Sequence, residues 1–167
     1  MASNALISAE QYLKEHLSIE HPPEFVRGEL IQRSMPKWLH ARLQVLLGAR
    51  LRAVGLAATE LHLRLSEDTI RIADIALFLD PPREEIPASP PFVVVEIVFP
   101  DDSHEELLRK LIEYRAWGVQ HIWVVEPSLR TFHKYEDGGL IRVEAFELPE
   151  LNFFVDVQDL FAEAIDR

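Results

Sequence analysis

The sequence predicts a mixed α/β domain in which helices pack against a largely buried sheet. Three observations carry that reading. Residues 92–99 are apolar on both faces apart from Glu96, as expected of a central strand covered by helices on both sides. Two segments, 37–54 and the stretch following 101–103, repeat apolar residues at three- and four-residue steps, the period of a helix with one buried face. Around them lie short alternating runs bounded by Gly, Pro and Asp, which read as strands joined by turns.

Composition sets the frame. A chain of 167 residues has the length of one ordinary domain, able to bury a core without disulfides or structural metals. There is no cysteine, which excludes a disulfide scaffold, a thiolate zinc site and a cysteine nucleophile. Residues 1–9 show no basic region followed by an apolar core, and no apolar run is long enough to span a bilayer, so the expectation is a cytoplasmic protein with no membrane partner. Lys and Arg number 17 against 28 Asp and Glu, a formal charge of −11. That is the wrong sign for coating a phosphate backbone, though not for an enzyme whose acidic residues hold a cation and so invert the local field.

In chain order, Ser8 with Gln11 forms a capping box for a short helix to about His16, and His21, Pro22 and Pro23 force an extended path after it. Residues 24–32 read as two short strands about a tight turn at Gly28. The helix over 37–54 buries Trp38, Leu39, Leu43, Leu46, Leu47 and Leu51, leaves Arg42 and Arg50 off that face, and stops at Gly55. Residues 59–65 alternate, with Leu61, Leu63 and Leu65 inward and Glu60, His62 and Arg64 outward. A strand over 70–79 follows, then a Pro-rich loop over 81–91 that is either a connector or a lid.

After the apolar strand, residues 101–103 cap a helix to about Trp117 that buries Leu107, Leu108, Leu111 and Ile112 and ends at Gly118. Strands over 121–126, 130–135 and 140–146 follow, the last two joined by Asp137-Gly138-Gly139. Residues 148–155 read as core and 156–165 as a closing helix.

The chemistry lies where charge interrupts apolar rows. On the strand 70–79 the period of two puts Ile70, Ile72, Asp74, Ala76 and Phe78 on one face. Glu96 interrupts Phe92, Val94 and Val98 in the same way. An unpartnered carboxylate in an apolar interior costs several kcal/mol, so each needs a cation, a donor or a raised pKa. A shared metal ion meets both needs, and carboxylates completed by water make the oxygen-rich, open site that Mg²⁺ prefers. Taken singly, each carboxylate is as readily a structural group satisfied by arginine or backbone amides; it is the pair that favours a metal. Lys110 lies at the margin of its helix's buried stripe, on the side of Glu106 and Tyr114. There it could stabilise a pentavalent phosphate or activate the attacking water, or merely pair with Glu106 one turn back on the surface.

Arg71-Ile-Ala-Asp74-Ile, Val94-Val-Glu96-Ile-Val-Phe-Pro100, Lys110 with Tyr114, Gly118-Val119 and Trp123-Val-Val-Glu-Pro127 together resemble the Uma-type family of bacterial restriction endonucleases. The resemblance extends to Glu24-Phe-Val-Arg-Gly28-Glu29-Leu30 and His40 and spans roughly residues 11–161. It implies a restriction-endonuclease-like α/β (α+β) fold of the PD-(D/E)XK superfamily, with Asp74 and Glu96 as ligands of Mg²⁺, or alternatively Mn²⁺, and a lysine beside them.

Three positions depart from the pattern: Val98 stands where the motif lysine would be, Ala73 replaces a proline and Phe99 a serine. The lysine role passes to Lys110 on the helix. Glu24 or Glu29 could add a ligand, or be solvated turn carboxylates; His40 could touch substrate, or be a surface residue or one that supports a site residue from behind. No other histidine spacing suits a metal, and there is no Gly-rich phosphate loop, nucleophile elbow or dinucleotide fingerprint.

The expected function is therefore Mg²⁺-dependent hydrolysis of DNA phosphodiesters, in a homodimer that can address two strands. The rival is a binding or regulatory module that keeps the nuclease fold but cleaves poorly, a reading favoured by the charge of −11.

Overall fold

A computed structural model describes residues 6–166; of the segment expected to lack a leader, residues 1–5 lie outside that range. Helix α1 (Ala9–His16) begins where Ser8 Oγ accepts the Gln11 N–H at 3.1 Å. Its buried Tyr12 stacks on Phe25 and donates its hydroxyl to the Pro23 carbonyl at 2.6 Å. That contact seats α1 on β1 (Glu24–Val26), which forms a hairpin with β2 (Glu29–Ile31). Arg27 and Gly28, at φ 51° and 82°, supply the two left-handed residues of its tight turn.

Helix α2 (Trp38–Arg52) buries His40, Leu43, Leu47, Gly48 and Leu51. The buried stripe therefore starts at His40, and Trp38, expected inside, is 75% exposed with the Arg42 guanidinium 5.9 Å from its ring. The strand expected at 59–65 is longer: β3 runs Leu56–Ser66 directly from Gly55. Its outward face is partly covered: Tyr12 of α1 lies against His62, and Glu60, though exposed, accepts from Gln44 of α2.

The main sheet then adds β4 (Thr69–Phe78), β5 (Val93–Ile97), β6 (His121–Glu126), β7 (Thr131–Glu136) and β8 (Gly139–Val143). Its order is β2-β1-β4-β5-β6-β7-β8, with β3 also paired to β4. Helix α3 (His104–Trp117) crosses between β5 and β6, the one parallel pair among the described strands, because a parallel return needs a crossover. Segment 81–91 connects β4 to β5, is tied to β3 where the Arg64 N–H donates to the Pro87 carbonyl at 2.8 Å, and is not among the residues lining the cleft described below.

The topology opens a gap where the chemistry lies. Strand β3 occupies one edge of β4 along its length, from Leu56↔Phe78 to Ser66↔Thr69. The other edge is shared by β1, which pairs only with Thr69 and Ile70, and β5, which pairs only with Ile75, Ala76 and Leu77. Residues 71–74 have no strand neighbour on that edge among the described pairings, and their backbone groups must find side chains instead.

Beyond β8 the strand expected at 140–146 breaks at Glu144. The end of that strand and the stretch read as core form a second sheet of β9 (Ala145–Leu148) and β10 (Phe153–Asp156), joined through a short 3₁₀ turn at Pro149–Leu151. Phe146 stacks on Trp123 at 4.4 Å and on Phe132 at 4.1 Å, which draws this small sheet and α4 (Val157–Asp166) onto the α2 side of the main sheet. Helix α3 covers the opposite face through Leu111 and Tyr114. No helix among the described residues is long and apolar enough to cross a membrane.

Helix α3 ends at Gly118, at φ 117°, with its N–H on the Tyr114 carbonyl at 3.2 Å. A Cβ there would lie 3.2 Å from Pro90 Cγ and hold an L-residue in left-handed backbone. Gly118→Ala is expected to lower stability by about 1–2 kcal/mol, read as a shifted urea midpoint with an unchanged slope; an unshifted midpoint would show that the 90–118 contact is slack.

Candidate active site

The stretch 71–74 of β4, which lacks a strand neighbour on its β1 and β5 edge, is surrounded by ionisable side chains. Glu24, from the end of β1, accepts the Ile72 N–H at 2.8 Å, and Lys110 of α3 donates to the Ile72 carbonyl at 2.9 Å. Two site residues thus replace the missing strand. Asp74 in turn accepts the Ile97 N–H on Oδ2 at 2.7 Å, which ties it to the end of β5. The gap between two strands is what lets carboxylates from three strands meet.

Lys110 is the hub. Its ammonium lies 2.7 Å from Glu24 Oε1 and 2.9 Å from Glu96 Oε2, so with the Ile72 carbonyl all three of its donors are engaged. The surface pair with Glu106 is not made, because α3 is rotated so that Lys110 is buried and Ile112, expected inside, is 53% exposed. Glu106 instead accepts from Arg71 at 2.7 Å and from Arg109 at 3.2 Å. Tyr114, one turn beyond Lys110, donates its hydroxyl to Glu96 Oε1 at 2.9 Å. Glu96 sits on the α3 face of β5 beside Val94, as the alternation requires.

Arg71 is fully buried and braces the assembly. Its Nη1 reaches Glu24 Oε2 at 3.0 Å, and its Nε reaches Glu113 Oε2 at 2.7 Å. Glu24 is therefore held between Arg71 and Lys110. On the far side of Asp74, His40 of α2 lies 3.5 Å from Oδ2 and stacks flat on Phe99 at 4.7 Å, while Arg33 approaches Oδ1 at 3.3 Å. Gln44 donates to the Asp74 carbonyl at 2.8 Å and to Glu60 at 2.9 Å.

Burial and charge set distinct protonation for the three carboxyls. Burial pushes Asp74 upward, but the His40 contact, the Lys110 charge and the Ile97 N–H outweigh it and hold it below its ordinary value. Burial likewise opposes Glu24, and Lys110 and Arg71 overcome it. Glu96 goes the other way. Burial dominates, Lys110 is shared, and the neighbouring Asp74 and Glu24 charges add to the effect, so its carboxyl is pushed up to about 7.

A glutamate whose folded-state pKa is raised favours folding while protonated. That contribution is complete below its unfolded value, about 4.3, and is lost as pH rises through about 7. Glu96→Gln removes this loss while keeping an acceptor for Lys110. In EDTA it is expected to stabilise the protein at pH 8 relative to wild type by on the order of 2 kcal/mol, with little difference at pH 5. Urea denaturation at both pH values checks this; a variant less stable at pH 8 would mean that the Glu96 anion is satisfied.

Asp74, Glu96, Lys110, Glu24, Glu106 and His40 all line a cavity of about 790 Å³ between α2, α3 and the strand ends. Tyr114 lies behind Glu96 rather than on the wall, and Glu29 lies on the exposed strand β2, outside the cleft. Sequence reasoning missed Arg33, Gln44, Glu60 and the part played by Arg71. An arginine in an otherwise apolar strand is as anomalous as Asp74, so Arg71 carried a usable signal. Glu60 carried none: its φ of 51° breaks the alternation and turns it to the cleft opposite Asp74, between the pairs Thr59↔Ile75 and Leu61↔Ala73.

The donor set suits a hard divalent cation. It is made of carboxylate oxygens with one imidazole, and the buried Glu96 shares its one cation, Lys110, with Glu24. Among the described residues no three acidic or histidine side chains close into a ready-made site. Water or substrate oxygens would complete the shell, which is how Mg²⁺ is ordinarily held.

Residues 9–160 match the family Uma2, described as "Putative restriction endonuclease". A crystal structure of a protein described as a putative nuclease belonging to DUF820, from Anabaena variabilis, superposes with a TM-score of 0.83. The alignment covers 95% of this chain and 99% of that one at 22% identity, which establishes a shared fold. No curated protein matches the chain.

Proposed function

The chain belongs to the Uma2 restriction endonuclease family, and from that premise we propose that it is a metal-dependent nuclease that hydrolyses DNA phosphodiesters, with Asp74 and Glu96 holding Mg²⁺ or Mn²⁺. The observation that carries this reading is the gap along β4, where Asp74, Glu96 and Lys110 meet at the floor of an open cleft. When bound, such an ion polarises a phosphoryl oxygen and lowers the pKa of water.

The chain's own residues supply the rest. Lys110 keeps a fixed positive charge beside Glu96, and Tyr114 sets the rotamer of that carboxylate from behind. Since the three donors of Lys110 are taken, its contribution in place is electrostatic; a direct bond to phosphate would require release of Glu24, Glu96 or Ile72. Arg71 fixes Glu24, and Glu24 fixes Lys110. The Ile97 N–H and His40 orient Asp74.

One observation favours the rival reading of a nuclease-fold module with little cleavage. Eight carboxylates line the cleft against two permanently charged cations, Arg33 and Lys110, a poor surface for a polyanion. Calorimetric titration of the wild type with Mg²⁺ and with Mn²⁺, followed by cleavage assays on plasmid and single-stranded DNA with and without EDTA, separates the two. Binding with EDTA-sensitive cleavage supports the enzyme, and binding without cleavage supports the module. Absence of both would remove the metal reading.

A further inference from the structure

Arg33 lies in the segment between β2 and α2, and it occupies the place where the proposed cation would need an oxygen. Its Nη2 is 3.3 Å from Asp74 Oδ1 and its Nη1 is 2.7 Å from Glu60 Oε2. The backbone beside it is fastened across the cleft: Ser34 Oγ donates to Asp102 Oδ1 at 2.6 Å, and the Asp102 carboxylate also accepts the Phe99 N–H at 2.8 Å. The side chain is 22% exposed, at the wall of the cleft. Two of its five N–H donors serve these carboxylates, whereas those of Lys110 are all engaged.

A divalent cation at Asp74 Oδ1 competes with the guanidinium there, because two positive charges brought to one oxygen repel. Resting on the metal reading above, we propose that Arg33 is the movable cation of the cleft: it neutralises Asp74 when no metal is bound, yields Oδ1 to the metal, and then binds the substrate phosphate. Glu60 is the pivot that keeps the guanidinium at the cleft wall after it leaves Asp74. In a cleft with so many carboxylates, a side chain with donors to spare is what a phosphate group can find.

The proposal makes two affinities move in opposite directions. In Arg33→Gln, Mn²⁺ binding measured by calorimetry is expected to tighten about tenfold. Binding of a fluorescein-labelled, phosphorothioate-linked thymidine oligomer at saturating Mn²⁺, read by anisotropy, is expected to weaken about tenfold. Arg33→Lys, which keeps the charge, should bring both back toward wild type. A merely structural role would lower both affinities in Arg33→Gln, and that result, or no change in either, overturns the inference. Failure of every variant, wild type included, to bind Mn²⁺ would sink the metal reading itself; binding that appears only in Arg33→Gln would support the inference, since the competitor has been removed.

Discussion

Asp74→Ala is expected to abolish measurable Mn²⁺ binding and to reduce DNA cleavage by roughly a thousandfold, the scale on which loss of a major electrostatic group lowers turnover. The carboxylate does two things that alanine cannot. It presents an oxygen to the cleft, and through Oδ2 it locks the Ile97 N–H at the end of β5, the strand that carries Glu96. Its removal also leaves the Ile97 N–H without its acceptor and His40 without the Asp74 carboxylate, which costs about 1–3 kcal/mol of stability, while Arg33 keeps Glu60. Asp74→Asn separates the two effects, because it keeps an acceptor for Ile97 but loses the charge. Calorimetry and plasmid cleavage on both variants, each checked for folding by urea titration, make the measurement. Wild-type cleavage by folded Asp74→Asn would remove Asp74 from the reaction.

Lys110→Met is expected to be the most destabilising change at the site, by about 3–5 kcal/mol at pH 8, as for any buried ion pair stripped of one partner. Methionine is close in volume to the lysine stem, so the loss is chiefly electrostatic. Glu24 and Glu96 would face each other across a buried gap without their shared cation, and the Ile72 carbonyl would lose its donor. Glu96, whose carboxyl is already pushed up to about 7, would take up a proton more readily still. Stability should therefore recover in part at pH 5, and in part at pH 8 in the double variant Lys110→Met with Glu96→Gln. Urea midpoints of the three proteins at both pH values test this. A single variant as stable as wild type at pH 8 would show that Arg71 alone neutralises the cluster.

The two effects share one cause. Strand β4 carries no neighbour along residues 71–74 on its β1 and β5 edge, so the site side chains do the work of a strand as well as that of a catalytic cluster. Changes at the site are therefore expected to move stability and activity together.

Much of this was legible in the chain. Alternation placed Glu96 on one face of its strand, but the row Ile70, Ile72, Asp74, Ala76 and Phe78 is not one face: β4 switches sides at Asp74, opposite Glu60, so Ala73 packs with Ala76 and Phe78 while Ile70 packs with Tyr12 and Phe25. What marked Asp74 and Glu96 was their isolation among apolar residues, because an unpaired charge inside a core is too costly to be accidental. The 92–99 run announced a strand covered on both sides, and β5 is buried throughout. Family resemblance moved the lysine role from the position of Val98 to Lys110, and Lys110 Nζ stands 2.9 Å from Glu96. The Uma2 match over residues 9–160 and the superposition on a nuclease fold agree with that resemblance.

Other features depended on contacts distant in sequence. A helical stripe read from periodicity is uncertain by one position, and here that position decided whether Lys110 or Ile112 faced the core. Glu60 reaches the cleft through one left-handed residue in an otherwise regular strand, and Arg33 through a loop with no periodicity at all. The small β9 and β10 sheet owes its place to Phe146 stacking between Trp123 and Phe132.

By itself the sequence determined which elements form and which residues are out of place within them, because helix and strand periods and the cost of buried charge act locally. The tertiary structure alone decided which of those residues meet and which cations they share. Pairing across 38 residues between Lys110 and Ile72, or 41 between Arg33 and Asp74, depends on where the sheet leaves a gap, and that gap is a property of strand order.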